Sequence, residues 1–347
     1  MNKKLFHIFS ALLLVTLILS ACGSPARPVE TPTSAIQPVT ETPALAKPFR
    51  VAVLMPSAVN DLAFSQSMYD ALVRIQTEMG GPEKMEFVYS QGMFVIEDAA
   101  AAIRTYASQG YDLVIAHGSQ YGAPLKEIAP DFPKTSFAWG TTSDTFGLPN
   151  VFAYEAASQE GGYVNGVLAA ALSTSKVIGV IGPLEVGDAK LYVNGFKAGV
   201  VATNPEIRVD VNYIGSFSDV VKASEAAANY ISAGADVLTG TAQMVVGPIS
   251  KANENKVLWF GTQSNQTSLS PSIVVASQVY HWEVILNQII ARVQSGTLGG
   301  ESFTINLANG GEVIEYNPDY ALPAEVKALG DKTIKEIANG TIKITLP

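Results

Sequence analysis

Cysteine occurs once in the 347 residues, at Cys22, so the chain forms no internal disulfide and its fold must rest on core packing. Histidine occurs three times, at His7, His117 and His281, and with one cysteine that is too few for a metal centre of imidazole and thiolate ligands. No Gly-x-Ser-x-Gly elbow, Walker loop, Gly-x-Gly-x-x-Gly run or His-Glu-x-x-His pair is present, which leaves an enzyme without its usual signatures. Lysine and arginine number 22 against 31 acids and form no cluster, a poor match for nucleic acid or anionic lipid. No catalytic residue, cofactor or metal is expected.

What is present begins with Met1-Asn2-Lys3-Lys4 and an uncharged, mostly apolar run from Leu5 to Ala21. These are the two opening regions of a secretory signal, expected over residues 1–21. An uncleaved membrane anchor is the alternative, but the run sits at the short limit for a span. Leu19-Ser20-Ala21-Cys22-Gly23 places a small residue before the only cysteine, which makes Cys22 the expected lipid carrier, and two or three acyl chains there give stable anchoring. Residues 22–48 carry Pro25, Pro28, Pro32, Pro38, Pro43 and Pro48 with few large apolar side chains; this composition predicts a disordered, extended tether. The formal charge of −9 becomes two units more negative without Lys3 and Lys4.

From Phe49 onward, short β-branched runs ending in Gly, Pro or Ser alternate with amphipathic stretches. Such alternation predicts parallel sheets covered by helices on both faces. Eight strand–helix units would also suit a (β/α)₈ barrel. The chain, however, continues with Ile273–Tyr280, a helix over 282–295, two further strand-like runs and a helix over 323–338. Those extra elements fit two doubly wound, Rossmann-like α/β lobes joined by three crossovers. The irregular Thr141–Asn150 stretch is taken as the break, so residues 49–143 with 275–300 are expected in an N-terminal lobe and 151–270 with 305–347 in a C-terminal one. The carboxyl ends of both sets of strands would then face one cleft.

One series of segments is Val59-Asn60-Asp61-Leu62-Ala63-Phe64-Ser65-Gln66-Ser67, Tyr111–Ile115 through Phe137-Ala138, and Gln159-Glu160-Gly161-Gly162-Tyr163 with Gly166–Ala170. Asn194–Gly199, Gly215-Ser216-Phe217, Ala233–Val237 and Gly261-Thr262-Gln263-Ser264 continue the series. In order and spacing these segments resemble the basic membrane protein family of lipoproteins, and the likeness covers nearly all of residues 49–320. It implies a type I periplasmic-binding-protein fold and the role of a PnrA-like substrate-binding protein of a purine or nucleoside ABC transporter. Where nucleoside-binding members typically carry an acid after the first strand, this chain has Met55-Pro56; Gln263 replaces a second acid and His281, followed by Trp282, replaces a base. The pattern is closer to a branch that holds a free purine base.

The candidate binding residues each have a structural alternative. Phe64 is expected as a plate on which a flat ligand stacks, or else as a core residue. Asn60 and Asp61 either face the cleft or cap the following helix. His117, Gly118, Ser119 and Gln120 close the third strand with donors and acceptors for a heterocycle edge, or supply a cap. Trp139 lines the cleft or packs beneath the crossover. Thr241, Gln243 and Gln263 end two strands of the second lobe as neutral hydrogen-bonding groups, or serve the turns there. Tyr280, His281 and Trp282 lie where the chain crosses between lobes, as ligand contacts or as hinge packing. The expected cleft chemistry is therefore aromatic stacking plus neutral hydrogen bonds, with Asp61 and His281 the only charged candidates. A monomeric, lipid-anchored receptor on the extracytoplasmic face, closing on a purine base or nucleoside and serving a permease, follows; a sensory lipoprotein or a sugar-binding protein of the same fold is the alternative.

Overall fold

The computed structural model describes residues 47–346; the expected signal, Cys22 and all but the last two residues of the expected tether lie outside the described residues. In chain order the first elements are β1 (Phe49–Leu54), α1 (Phe64–Glu78), β2 (Met85–Ser90), α2 (Ile96–Ser108), β3 (Leu113–His117), α3 (Gly122–Ile128), β4 (Ser136–Gly140) and β5 (Val151–Ala156). There follow α4 (Gln159–Leu172), β6 (Val177–Gly182), α5 (Gly187–Thr203), β7 (Arg208–Tyr213), α6 (Val220–Ser232), β8 (Val237–Gly240), α7 (Val246–Asn255), β9 (Leu258–Gly261) and β10 (Val274–Tyr280). The described chain closes with α8 (Glu283–Gln294), β11 (Ser302–Ile305), β12 (Glu312–Tyr316) and α9 (Ala324–Ala338).

Two six-stranded sheets result, in the orders β11-β5-β4-β3-β1-β2 and β12-β10-β9-β8-β6-β7. All neighbours run parallel except β10 and β12. The strands β3 and β4 are buried along their whole length because helices cover both faces, which is why they read as unbroken apolar runs rather than alternating ones. α1 turns Met68, Ala71, Leu72 and Ile75 inward, and α8 adds Ile285, Leu286, Ile289 and Ile290 to the same core. Those spacings are the inward stripe of an α-helix on a sheet.

The two sheets are topological copies: β1 to β5 correspond to β6 to β10, and β11 and β12 are the added edges. The chain crosses between lobes three times, after β5, after β10, and between β11 and β12, as the element pattern implies. The expected boundaries need correction. β5 pairs with β4 in the first sheet, β10 pairs with β9 in the second, and β11 joins β5 in the first. Each crossing therefore falls one strand later than expected. The reason is that β4–β5 and β9–β10 are parallel neighbours joined by loops without a full helix, so a break set at such a loop put β5 and β10 in the wrong lobes. The Thr141–Asn150 stretch is such a loop. It is pinned to the first lobe by Asn150, whose Nδ2 donates to the carbonyls of Ala129, Phe132 and Thr135 at 2.9, 3.0 and 3.2 Å.

The helix that follows the first crossing is clamped backbone to backbone. A Cβ on Gly162 or Gly166 of α4 would meet the backbone of Tyr192 or Phe196 in α5, and one on Gly199 of α5 would meet the Tyr163 carbonyl. At an open helical site Gly→Ala stabilises by about 1 kcal/mol. Gly166→Ala should instead destabilise the protein by about 1–3 kcal/mol through overpacking, measured as a fall in the urea midpoint at unchanged slope; a rise in the midpoint would show that the helices have room to part.

Candidate functional site

A narrow cleft lies between the lobes, lined by residues of both. Every lining segment follows the carboxyl end of a strand, where ligands bind open α/β sheets. Pro56 and Phe64 follow β1, Phe94 follows β2, Gly118 to Gln120 follow β3, and Thr141 follows β4. From the second lobe Asp188 and Ala189 follow β6, Phe217 follows β7, Ala242 and Gln243 follow β8, and Gln263 follows β9. Because the lobes are topological copies, these come in corresponding pairs: Phe94 with Phe217, Gln120 with Gln243, Thr141 with Gln263. Phe64 and Asp188 are the unlike pair, each in the first turn of the helix after its lobe's first strand.

Phe64 is 7% exposed and lies in the cleft wall. Behind it the His117 ring stacks at 3.8 Å and 9°, and Trp282 meets both rings edge-on at 6.4 and 5.5 Å. His117 is locked from two sides: one ring nitrogen lies 3.1 Å from the Phe64 carbonyl and the other 2.8 Å from the Tyr154 hydroxyl. A carbonyl only accepts, so Nε2 carries the proton and Nδ1 accepts from Tyr154. Burial pushes the imidazole pKa down to about 3, only partly offset by the bond to Phe64, so the ring is neutral. The result is an aromatic plate whose position is fixed before any ligand arrives.

Both lobes supply polar groups, Ser119, Gln120 and Thr141 from the first and Asp188, Gln243 and Gln263 from the second. Asp188 keeps some accessible surface while protein atoms crowd around it. Its carboxylate accepts from Thr141 Oγ1 at 3.4 Å, Gln263 Nε2 at 3.3 Å and the Tyr280 hydroxyl at 3.4 Å. Burial raises its pKa, with these donors and nearby backbone N–H groups opposing the shift. Since Gln263 Nε2 points at the carboxylate, its Oε1 is left buried with no partner, and Gln243 Oε1 is in the same condition. Buried polar atoms without partners are uncommon. Gln263 and Ala242 also hold positive φ angles of 68° and 74°, a costly conformation for non-glycine residues that concentrates at ligand sites. No Lys, Arg or His lines this cleft, and among the described residues no group of His, Cys, Asp and Glu is placed to hold a metal.

Of the residues singled out from sequence, the cleft brings together Phe64, Gly118, Ser119, Gln120, Gln243 and Gln263. The others stand elsewhere. Asp61 caps the start of α1, accepting from the backbone N–H of Ala63, Ser65 and Gln66 at 2.9, 3.1 and 3.0 Å, and Asn60 beside it is exposed. His117 supports the plate from behind. Trp139 stacks on Phe146 at 4.6 Å and donates to the Gly118 carbonyl, so it packs under the loop rather than facing the cleft. Thr241 is buried at the end of β8. Tyr280 reaches the site only through Asp188. Trp282 is wholly buried, and His281 lies in a separate polar recess, 3.8 Å from Glu283 and 4.0 Å from Glu315. The expectation that Asp61 and His281 are the only charged candidates is thus corrected: the carboxylate on the cleft is that of Asp188. In the sequence it reads as an acid in the first turn of a helix, where the helix dipole alone accounts for it.

Comparison with known proteins places this architecture. Residues 49–345 match the model of the family described as ABC transporter substrate-binding protein, PnrA-like. The chain belongs to that family. Its members are solute-binding proteins rather than enzymes. A purine-binding protein of Brucella abortus is 27% identical over 260 residues, 75% of this chain and 73% of the relative. The nucleoside-binding protein BmpA of Lactococcus lactis is 26% identical over 310 residues, covering 84% and 86%. Among solved structures, an ABC transporter solute-binding protein from Conexibacter woesei superposes with a TM-score of 0.71 at 23% identity, covering 86% of this chain and 98% of that one; at that identity it speaks for the fold alone.

The buried neutral imidazole gives a pH signature. His117 has a folded pKa of about 3 against 6.5 in the open, so the unfolded chain binds the extra proton. Its contribution is complete above pH 6.5 and is lost as pH falls towards 3. Between pH 6.5 and 5 the wild type should lose on the order of 1–2 kcal/mol more stability than His117→Gln, measured by urea denaturation; parallel losses in both proteins would show that the ring is protonated in the fold.

Proposed function

We propose that this substrate-binding protein is a lipid-anchored receptor for a purine base or nucleoside, which the two lobes enclose and deliver to a permease. The observation that carries the reading is the pairing of a pre-set aromatic plate with a wall rich in hydrogen-bond acceptors. A planar, uncharged ring system bearing N–H or O–H groups satisfies both. Phe64, with Phe94 and Phe217 on the same cleft, offers stacking worth about 0.5–1.5 kcal/mol per ring pair beyond burial. The unpartnered oxygens of Gln243 and Gln263 require donors, because leaving such atoms buried and unpaired costs about 1–3 kcal/mol each. A carboxylate with no cation beside it disfavours phosphorylated nucleotides, since like charges repel. The purine-binding and nucleoside-binding names of the relatives point to the same ligand class.

Lobe closure is the expected mechanism, with the closed, liganded state being the one the permease selects. Contacts between the lobes support it: Ser264 Oγ donates to the Ala63 carbonyl at 2.8 Å and Gln266 Nε2 to that of Leu62 at 3.2 Å. Both acceptors immediately precede Phe64, so the second lobe grips the segment that carries the plate. The receptor is read as a monomer on the extracytoplasmic face, held through Cys22. Among the described residues no helix is long and apolar enough to cross a membrane.

Two measurements test the reading. Calorimetric titration with adenine, guanine and their nucleosides should show saturable one-to-one binding, and Phe64→Ala should weaken it roughly tenfold; absence of binding by all four would overturn the ligand class. For the anchor, Cys22→Ser should yield an unprocessed precursor or a released protein in a bacterial host, and unchanged mass and membrane retention would refute lipidation.

A further inference from the structure

Asp188 is the one carboxylate of the cleft, and the aromatic plate does not account for it. It stands in the second lobe at the position that Phe64 occupies in the first. Its oxygens collect Thr141, Gln263 and Tyr280, three groups that would otherwise present hydroxyl and amide hydrogens to the cleft. Those side-chain bonds are long, at 3.3 to 3.4 Å, so the carboxylate retains capacity for a stronger donor. Beside it the Oε1 atom of Gln263, a residue only 3% exposed, has no partner. This side of the cleft is therefore filled by a carboxyl group and offers acceptors rather than donors. A sugar hydroxyl is both donor and acceptor and brings bulk. A ring N–H is a donor that brings none.

Resting on the purine reading above, we propose that Asp188 is a specificity-determining residue that selects free bases over nucleosides. Its carboxylate accepts the imidazole-ring N–H of a free purine, the hydrogen that glycosylation replaces with carbon. The same side chain occupies the space a ribose would need and engages the groups that would hold its hydroxyls. The geometry of the second lobe supplies the reason for the placement. Gly187, at φ 52°, lets this helix start approach Thr141 of the first lobe, where a Cβ would lie 2.9 Å from the threonine hydroxyl. Closure thus brings the carboxylate against the ligand from the side opposite the first lobe.

Adenine, 9-methyladenine and adenosine form a series that removes the ring N–H first by adding only a methyl group, then by adding the sugar. Titrated calorimetrically into the wild-type protein, adenine should bind at least about tenfold tighter than 9-methyladenine, the scale of a hydrogen bond to a charged group. In Asp188→Ala that gap should close to within about threefold, with adenosine gaining on both. Asp188→Asn, which keeps the shape and one acceptor, should fall between them. Binding of 9-methyladenine by the variants shows that the cleft is intact, so a lost gap is not a lost fold. If adenine and 9-methyladenine bind the wild type equally, or if the gap persists in Asp188→Ala, the assignment is overturned while the purine reading stands. If none of the three binds any of the proteins, both fall together.

Discussion

Trp282 holds the rest of the site in place. It is wholly buried, stands at the start of the helix that follows the second crossing, and touches four rings edge-on: Phe64, His117, Tyr154 and Tyr280. Its indole N–H, which must find an acceptor when buried, donates to Ser67 Oγ at 2.9 Å. Two of the four rings make up the plate and its support, a third orients the support, and the fourth belongs to β10 of the second lobe. A side chain at the crossing therefore sets the angle of the cleft plate. Removing a buried residue of this size costs about 3–5 kcal/mol, and here the loss would fall on the ligand wall and on the crossing alike.

The crossings are themselves tied by a buried acid. Glu312 is inaccessible to solvent, and its Oε1 accepts from the backbone N–H of Gly161 and from Gln278 Nε2. Gly161 lies just after the first crossing, Gln278 just before the second, and Glu312 just after the third. Burial, with Glu160 nearby, pushes its pKa well up, so the group spends more of its time as a neutral acid than an exposed glutamate would. The hydrogen bonds from Gly161 and Gln278 oppose that shift without removing it. Breaking one partner of such a buried contact leaves the other unsatisfied, which costs more than the bond itself is worth. The three connections are thus fastened at one point inside the second lobe, and the relative position of the lobes is left to the short segments beyond it.

Much of this was legible in the sequence because parallel strands and their covering helices leave strong periodic traces. The strand at Leu113–His117 and the helix at Phe64–Glu78 could be read from apolar runs and from inward spacing. The boundary between lobes could not, because β5 and β10 each follow a neighbour without a helix, and local pattern carries no record of which sheet a strand joins. For the site, Phe64, Gln243 and Gln263 were readable as polar or aromatic residues at strand ends. Asp188 was not: an acid in a helix's first turn is explained by the dipole, and only the third dimension shows Gln263 and Tyr280 converging on it. His117 and Trp282 erred the other way. Their chemistry suggested ligand contact, but a neutral imidazole with both nitrogens engaged has nothing left to offer a ligand.

A cleft that must hold polar hydrogens needs an acceptor, but not at one fixed position. An amide at 263 alone would be a weak acceptor with an unanchored orientation. With Asp188 beside it, Nε2 is drawn to the carboxylate, the amide oxygen is turned outward, and the pair becomes a fixed array of acceptors. The position of the charge also sets its neighbourhood. At 188 it sits at the first turn of α5, where the helix's free N–H groups favour an anion, and this compensates in part for the absence of a lysine or arginine in the cleft. The second lobe can therefore keep a carboxylate in a cation-free site, and on the assignment proposed above the specificity of the cleft is set by which hydrogens of a ligand that carboxylate can reach.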